Sequence, residues 1–347
     1  MEEELKSVSL IIPVYNEEKY IEGFIDSILK QDYDFGMVEL IFIDGNSKDN
    51  TKKLILKKLH DSNISFKILD NEKSITPVSL NIGIKESKGD IIIRLDAHSK
   101  YPINYITKCV YYINHVDADN VGCIIETESE GKVGNAIASV LSSKFGVGDS
   151  KFRTNAKSGY VDTVPFGTFR RTLFDKIGYF DERLPRNQDS EFNHRIIKNG
   201  GKIYLFDDIR ITYYPRNTIK KLVKMAILNG KWNLFTSYLA PGSMKLRHFV
   251  PFIFVLSLIF GIAILFTKCT VLKLLFMLEL ILYFALDILF SLKNIKKRGL
   301  SEPLLCFVIY PIFHITYGLG TLMGIFLIIK NKLKGEKNEK RITIKNW

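Results

Sequence analysis

The sequence predicts an α/β domain with a mostly parallel sheet flanked by helices, followed by apolar membrane helices. Two observations support this class. Strand-like and helix-like segments alternate four times near the start of the chain, and charge is distributed unevenly along it. Residues 215–347 carry 20 Lys and Arg against 5 Asp and Glu, so residues 1–214 carry −3 within an overall net charge of +12. A basic, apolar second half is typical of a membrane-bound segment and does not indicate a nucleic-acid-binding face.

Four short apolar runs are predicted to be strands, because each is bounded by turn-forming residues. They are residues 8–14, 39–43, 66–69 and 91–95. Apolar residues at helical spacing lie between them, and Asn16 is expected to cap the first of these helices. Alternating strands and helices predict βαβ units with right-handed crossovers, and therefore parallel strands whose carboxyl ends share one edge.

The fourth run ends in two possible metal ligands, Asp96 and His98. Residues two apart in an extended segment point the same way, so the carboxylate and the imidazole can face one divalent cation. The carboxyl ends of strands in open α/β sheets are also where ligands bind. The alternative is a strand that ends in an Asx-type turn, with His98 as an ordinary surface residue.

Three motifs fall in order on these elements: Val-Tyr-Asn-Glu at 14–17, Ile-Asp-Gly-Asn-Ser-Lys-Asp-Asn-Thr at 43–51, and Asn-Ile-Gly-Ile at 81–84. Together they resemble the inverting glycosyltransferases of family 2, which have the GT-A nucleotide-diphospho-sugar transferase fold, over about residues 8–232. Leu-Asp-Ala-His-Ser-Lys-Tyr-Pro at 95–102 is similar to the variant of succinoglycan-type exopolysaccharide transferases. His98 stands where the usual family pattern has an aspartate.

The resemblance implies a nucleotide-sugar site. Its members are Pro13, Tyr15, Glu17, Asp44, Arg94 and Asp96. The Asp44 carboxylate suits the N–H of a uracil ring, although Asp44 could simply start a turn. Arg94 lies in an apolar strand, so it should either approach phosphate or pair with a buried carboxylate. Asp96 and His98 are expected to hold Mn²⁺ or Mg²⁺ on the diphosphate.

Asp189 matches the Asp of the family's Glu-Asp motif, with Gln188 in place of the Glu. The resemblance implies that Asp189 is the catalytic base that takes the acceptor proton; a helix cap is the alternative role. Four further residues are expected on the acceptor or diphosphate side. They are Gly167, Glu191, Lys231 and Trp232. Glu191 could instead be only a helix-start charge, and Trp232 could instead mark a membrane surface.

The predicted domains are a glycosyltransferase domain at 1–214, a basic amphipathic interfacial segment at 215–248, a transmembrane region at 249–329 and a basic cytoplasmic tail at 330–347. Three apolar runs lie in the third domain, at 249–266, 271–290 and 303–329. Three crossings would separate the basic loop 293–298 from the basic tail, although both favour the cytoplasm. Either the third run is a re-entrant hairpin or one of the first two does not cross.

These features predict a multi-pass enzyme of the inner (plasma) membrane with a cytoplasmic catalytic domain. Its expected reaction moves a sugar from a nucleotide donor, most readily a UDP-sugar, to a lipid-linked saccharide in exopolysaccharide or surface-glycan synthesis. One alternative is a transferase that makes a polyprenyl-phosphate sugar. The other is a nucleotide-binding membrane scaffold that has lost catalysis, suggested by His98 and Gln188.

Overall fold

A computed structural model describes residues 5–215, 217–293 and 301–333. The chain forms two compact units. The first, here called the sheet unit, comprises Met1–Glu126 and Asn155–Tyr214; the second, the helical unit, comprises Thr127–Thr154 and the chain from Pro215 onward. The longer segment of the helical unit starts at Pro215, where the interfacial segment was predicted to start. The helical unit also includes residues 127–154, which the sequence did not separate from the first domain.

In the described part of the chain, nine strands form one sheet. They are β1 (Val8–Val14), β2 (Val38–Asp44), β3 (Ser65–Asp70), β4 (Ile91–Arg94), β5 (Ser99–Lys100), β6 (Asn120–Thr127), β7 (Gly159–Tyr160), β8 (Thr168–Arg170) and β9 (Ile203–Tyr213). Their order is β3-β2-β1-β4-β8-β6-β9-β5, with β7 on β9. The four predicted strands are parallel as expected. Strand β8 is antiparallel to β4 and β6, and β9 is antiparallel to β5 and β7, so the whole sheet is mixed.

Within its described residues, the sheet unit has six α-helices. They are α1 (Ile21–Ile28), α2 (Thr51–Leu59), α3 (Thr76–Glu86), α4 (Tyr105–His115), α7 (Thr172–Ile177) and α8 (Gln188–Lys198). Gly83 lets α3 lie close to the sheet, because a Cβ there would come within 2.6 Å of Ile11 and 2.7 Å of Ile43. The helical spacing predicts one apolar face for α1; Ile21, Phe24, Ile25 and Ile28 of that face are buried, and Leu29 is partly exposed.

The strand ends define one edge of the sheet. Val14 is in register with Asp44, and Arg94 with Ile11, so β1, β2 and β4 finish near each other. The three isoleucines of β4 are buried, as expected for a central strand. Asp44, at the end of β2, and Asp96 and His98, just after β4, lie at this edge.

The helical unit contains six helices within the described residues. They are α5 (Gly131–Leu141), α6 (Lys144–Val147), α9 (Ile219–Leu239), α10 (Val250–Leu265), α11 (Thr270–Leu292) and α12 (Ser301–Leu333). One apolar core joins α5, α9 and α12. Gly230 of α9 faces α12 so closely that a Cβ would overlap the carbonyl oxygen of Tyr317, and Gly320 approaches Ile227 in the same way.

Two of the described helices are long and apolar enough to cross a membrane by length and composition, α11 and the Glu302–Lys330 part of α12. Helix α10 is shorter, with 16 residues. Helix α12 runs unbroken through Pro311, so the third apolar run is not a re-entrant hairpin. The two acidic side chains of α11 face protein: Glu279 accepts a hydrogen bond from Ser257 Oγ (2.5 Å), and Asp287 is buried. Most of the predicted loop 293–298 and of the basic tail lies outside the described residues.

Candidate active site

Hydrogen bonds join the loops that follow β1 and β2. Asn16 N donates to Ser47 Oγ (3.0 Å), and Lys48 N donates to Asn16 Oδ1 (2.8 Å). Asn16 has a left-handed backbone, with φ 54°, and α1 begins only at Ile21. The expectation that Asn16 caps α1 is therefore wrong. Asn16 instead holds together two loops at the edge where the parallel strands end.

Asp44 ends β2 and is almost fully buried. Its Oδ2 accepts a hydrogen bond from Ser47 N (3.0 Å) and lies 3.5 Å from Lys52 Nζ. Its Oδ1 has no hydrogen-bond partner among the described residues although it is buried. A buried carboxylate oxygen without a donor carries a large desolvation cost, so this atom is ready to accept an N–H from a ligand.

Pro13 and Tyr15 lie on the strand and loop beside Asp44. Pro13 is opposite Ile43 in the β1–β2 ladder. The side chain of Tyr15 lies against Gly45, where an added Cβ would be 3.5 Å from the tyrosine, and it is 54% exposed. Tyr15 thus presents an exposed aromatic ring beside Gly45, the residue that follows Asp44.

Asp96, His98 and Glu17 form one hydrogen-bonded cluster after β4. His98 Nδ1 lies 2.7 Å from Asp96 Oδ1 and 3.2 Å from Glu17 Oε1. Burial alone would lower the pKa of His98, but the Asp96 charge and the bonds to both carboxylates raise it well above its ordinary value. Burial would raise the pKa of Asp96, but His98 and Arg94 outweigh it and the pKa is lowered. His98 N also donates to Asp96 Oδ1 (3.2 Å), so the Asx-type turn is present as well.

The possible ligand atoms of this cluster suit a hard divalent cation only in part. No group of three His, Cys, Asp or Glu side chains converges as a metal site within the described residues. His98 Nδ1 is engaged by two carboxylates, so it acts here as a hydrogen-bond donor and not as a ligand. A second Asp96 oxygen, Oδ2, has no protein donor among the described residues. A cation can bind Asp96 Oδ2, whereas His98 can join it only after its ring turns away from Asp96 and loses a proton.

Arg94 and Asp189 form an ion pair across the sheet unit. Arg94 Nη1 donates to Asp189 Oδ1, although the residues are 95 positions apart. The Arg94 guanidinium is buried and lies 5.5 Å from the centre of the Phe166 ring. Of the two roles that the sequence left open for Arg94, the structure shows pairing with a carboxylate.

Asp189 lies in the first turn of α8 and is partly exposed. Asn187, with φ 60°, is the residue that precedes the helix, and neither side chain caps it. The carboxylate of Asp189 therefore pairs with Arg94 and does not serve as the helix cap.

The other predicted acceptor-side residues of the sheet unit have structural partners. Glu191 receives two hydrogen bonds from Arg195, at 2.9 and 2.7 Å. Gly167 leaves no room for a side chain, because a Cβ would overlap Asn120 and Phe169, and its carbonyl accepts a hydrogen bond from Arg94 N (3.1 Å). Gly167 thus fixes the backbone of Arg94.

Lys231 and Trp232 belong to the helical unit. Trp232 is 3% exposed, and its ring lies 5.5 Å from that of Phe235. So little exposed surface indicates a packing role and leaves little ring face for a sugar. Burial lowers the pKa of Lys231 to about 8.

Two residues near the site were not predicted. Lys52 lies between Asp44 and Asp70, but in sequence it is one of several lysines on an amphipathic helix. Phe166 supports the Arg94 guanidinium and has a left-handed backbone, with φ 45°. A phenylalanine in a loop gives no sequence signal for a contact with an arginine or for a left-handed backbone.

Residues 9–178 match the family described as glycosyl transferase family 2. A Methanococcus voltae protein, dolichyl N-acetyl-alpha-D-glucosaminyl phosphate 3-beta-D-2,3-diacetamido-2,3-dideoxy-beta-D-glucuronosyltransferase, is 32% identical over 64% of this chain and 71% of its own. The succinoglycan biosynthesis protein ExoA of Rhizobium meliloti (strain 1021) is 30% identical over 72% of each chain.

A similar solved structure is the mannosyltransferase PcManGT of Pyrobaculum calidifontis in complex with GDP-Man and Mn²⁺. It has a TM-score of 0.62 at 16% identity and covers 92% of this chain and 88% of its own. This likeness concerns the fold alone, and it agrees with the predicted GT-A fold.

Proposed function

Because the chain belongs to glycosyl transferase family 2, we propose that this glycosyltransferase moves a sugar from UDP to a lipid-linked saccharide, with inversion at the anomeric carbon. The single observation that carries the donor site is the buried, unpartnered Oδ1 of Asp44. It can accept the imide N–H of uracil, and the exposed ring of Tyr15 can lie against the base. Pro13 and Glu17 are the other proposed members of the nucleotide site at this edge of the sheet.

A divalent cation would be held by Asp96 and His98. Bound there, it would supply positive charge to the departing diphosphate as a Lewis acid. The carboxylates and imidazole of this cluster favour Mn²⁺ slightly over Mg²⁺. Glu17 keeps His98 oriented by accepting the hydrogen bond from Nδ1.

Asp189 would act as the base. The acceptor hydroxyl gives its proton to Asp189 while its oxygen bonds to the anomeric carbon. The bond from that carbon to the diphosphate oxygen breaks, and its electron pair leaves with the nucleoside diphosphate. Asp189 suits this role because its carboxylate is partly exposed and is not used as a helix cap.

The apolar helices support a membrane-borne acceptor. We place α11 and α12 across the plasma membrane as a pair. Two crossings return the tail 330–347, with its seven Lys and Arg, to the cytoplasmic side. The loop 293–298 has only four Lys and Arg, so the tail decides the orientation of the chain in the membrane. The names of both relatives agree with a lipid-linked or polysaccharide substrate.

The test is a panel of nucleotide sugars given to the full-length protein in membranes with native lipid extract, with Mn²⁺ or with EDTA. We expect one UDP-sugar to release UDP in a Mn²⁺-dependent way while its labelled sugar enters the lipid fraction. Asp189→Asn should lower transfer about 10²–10⁴-fold, the usual contribution of a general base, and should leave UDP binding intact.

Each part of the proposal can fail separately. Transfer that persists in EDTA would exclude the cation, and equal loss of binding and transfer in Asp189→Asn would exclude the base role. Label in a polyprenyl phosphate itself, with no saccharide acceptor, would identify the alternative transferase. Tight UDP binding without transfer from any donor would identify the scaffold.

A further inference from the structure

Arg94 is a buried cation that the proposed chemistry does not yet use. It ends β4, two residues before Asp96, and its backbone N–H is fixed by Gly167 O. Its guanidinium pairs with Asp189 and lies over Phe166. Its Nε has no hydrogen-bond partner among the described residues.

A purely stabilising role explains this arrangement poorly. Burying a guanidinium costs several kcal/mol, and an ion pair returns that cost only when the remaining donors are satisfied. Arg94 keeps one buried N–H unsatisfied, and its partner carboxylate is partly exposed. The pair therefore contributes less to folding than its burial suggests.

The pair has a clear effect on Asp189. A carboxylate in the first helical turn can rotate freely or turn back to the unpaired N–H groups of its own helix. Arg94 instead binds Oδ1, while Oδ2 has no donor among the described residues. One oxygen is thus held and the other left available.

We propose that Arg94 is a positioning residue that holds the Asp189 carboxylate by Oδ1, so that Oδ2 takes the proton of the acceptor hydroxyl. This inference rests on the proposed transfer reaction. Because Arg94 lies on β4 just before Asp96, it also ties the base to the strand that carries the donor-side carboxylate. Its effect should be on the rate of transfer and not on donor affinity.

The experiment compares Arg94→Met, which removes the charge, with Arg94→Lys, which keeps a charge but not the planar fork. The donor identified by the panel and native lipid extract serve as substrates, and UDP binding is measured separately. Arg94→Met should lower kcat at least about 30-fold with KM for the donor and Kd for UDP changed less than about 3-fold. The kcat of Arg94→Lys should be about 10-fold higher than that of Arg94→Met.

Arg195→Met is the matched control, because it breaks an ion pair on the same helix α8, with Glu191, without contacting Asp189. It should keep kcat within about 3-fold even if its Tm falls. In the double variant Arg94→Met/Asp189→Asn, kcat should equal that of Asp189→Asn alone, because Arg94 acts through that carboxylate.

Three outcomes would overturn the proposal while leaving the transfer function intact. In the first, Arg94→Met raises KM for the donor and the Kd for UDP in proportion. In the second, the loss of kcat in the double variant is the full sum of the two single losses. In the third, the kcat of Arg94→Met equals that of Arg195→Met. If Arg94→Met does not fold, Arg94→Lys and the double variant Arg94→Lys/Asp189→Asn carry the test in its place. Absence of transfer by the unaltered protein would instead refute the proposed function.

Discussion

At the residue scale, three aspartates of the sheet unit differ in their neighbours. Asp44 is buried with one free oxygen, Asp96 is bound by His98, and Asp189 is held by Arg94. The same side chain can therefore receive an N–H, hold a cation or take a proton, because its neighbours determine which oxygen is available and what charge lies nearby.

Asp44→Asn should weaken UDP binding about 10–100-fold, because a hydrogen bond to a charged acceptor contributes about 1.5–3 kcal/mol. Titration calorimetry with UDP measures the change. Asp70→Asn is the control: Asp70 also pairs with Lys52 (2.5 Å) but its side chain is largely exposed. If both variants bind UDP equally weakly, the effect comes from Lys52 and Asp44 does not contact the base.

At the element scale, α9 and α12 pack through small residues. Gly230 approaches Tyr317 and Thr321 on α12, and Gly320 approaches Ile227 on α9. The two backbones approach closely in place of interdigitating side chains. The contact is therefore sensitive to the one methyl group that a Gly→Ala substitution adds.

Gly230→Ala should lower the Tm of the detergent-solubilised protein by several degrees. Overpacking costs about 1–3 kcal/mol and outweighs the gain of up to about 1 kcal/mol in helix propensity. Thermal unfolding followed by tryptophan fluorescence measures it. Gly23→Ala in α1 is the control, since a Cβ there has no atom within 4 Å, and it should leave Tm unchanged or raise it. A Tm for Gly230→Ala at or above that of the unaltered protein would show that the two helices are not in tight contact.

At the scale of the whole molecule, Cys269 reports the membrane topology. It is exposed at the start of α11, whereas Cys109, Cys123 and Cys306 are buried. Helix α10 spans about 24 Å at 1.5 Å per residue, less than the roughly 30 Å hydrocarbon core. We therefore expect that α10, although it packs beside α11 through Ser257 and Gly261, does not cross completely and that Cys269 remains on the cytoplasmic side.

A membrane-impermeant maleimide applied to sealed vesicles of known orientation tests this. Labelling should occur from the cytoplasmic face and disappear in Cys269→Ser. Labelling only from the opposite face would mean that α10 does cross, and that the chain crosses three times.

Local sequence predicted the parallel half of the fold. The runs that became β1 to β4 and the apolar spacing of α1 are properties of neighbouring residues, so they could be read without tertiary information. In the mixed half of the sheet, β5 and β7 were not predicted, because they are only two residues long and carry no period. Asn16 was assigned to a helix cap because its bonds to Ser47 and Lys48 are non-local.

The sequence by itself determined the family, the first four strands, the apolar helices and the residue types at the sheet edge, since these depend on short motifs and periodicity. Only the tertiary structure decided which charges meet. Arg94 could have paired with phosphate or with any carboxylate, and its pairing with Asp189 joins residues 95 positions apart. Such a contact depends on how β4, β8 and α8 pack, and that packing is decided by the whole core of the sheet unit and not by the residues next to either partner.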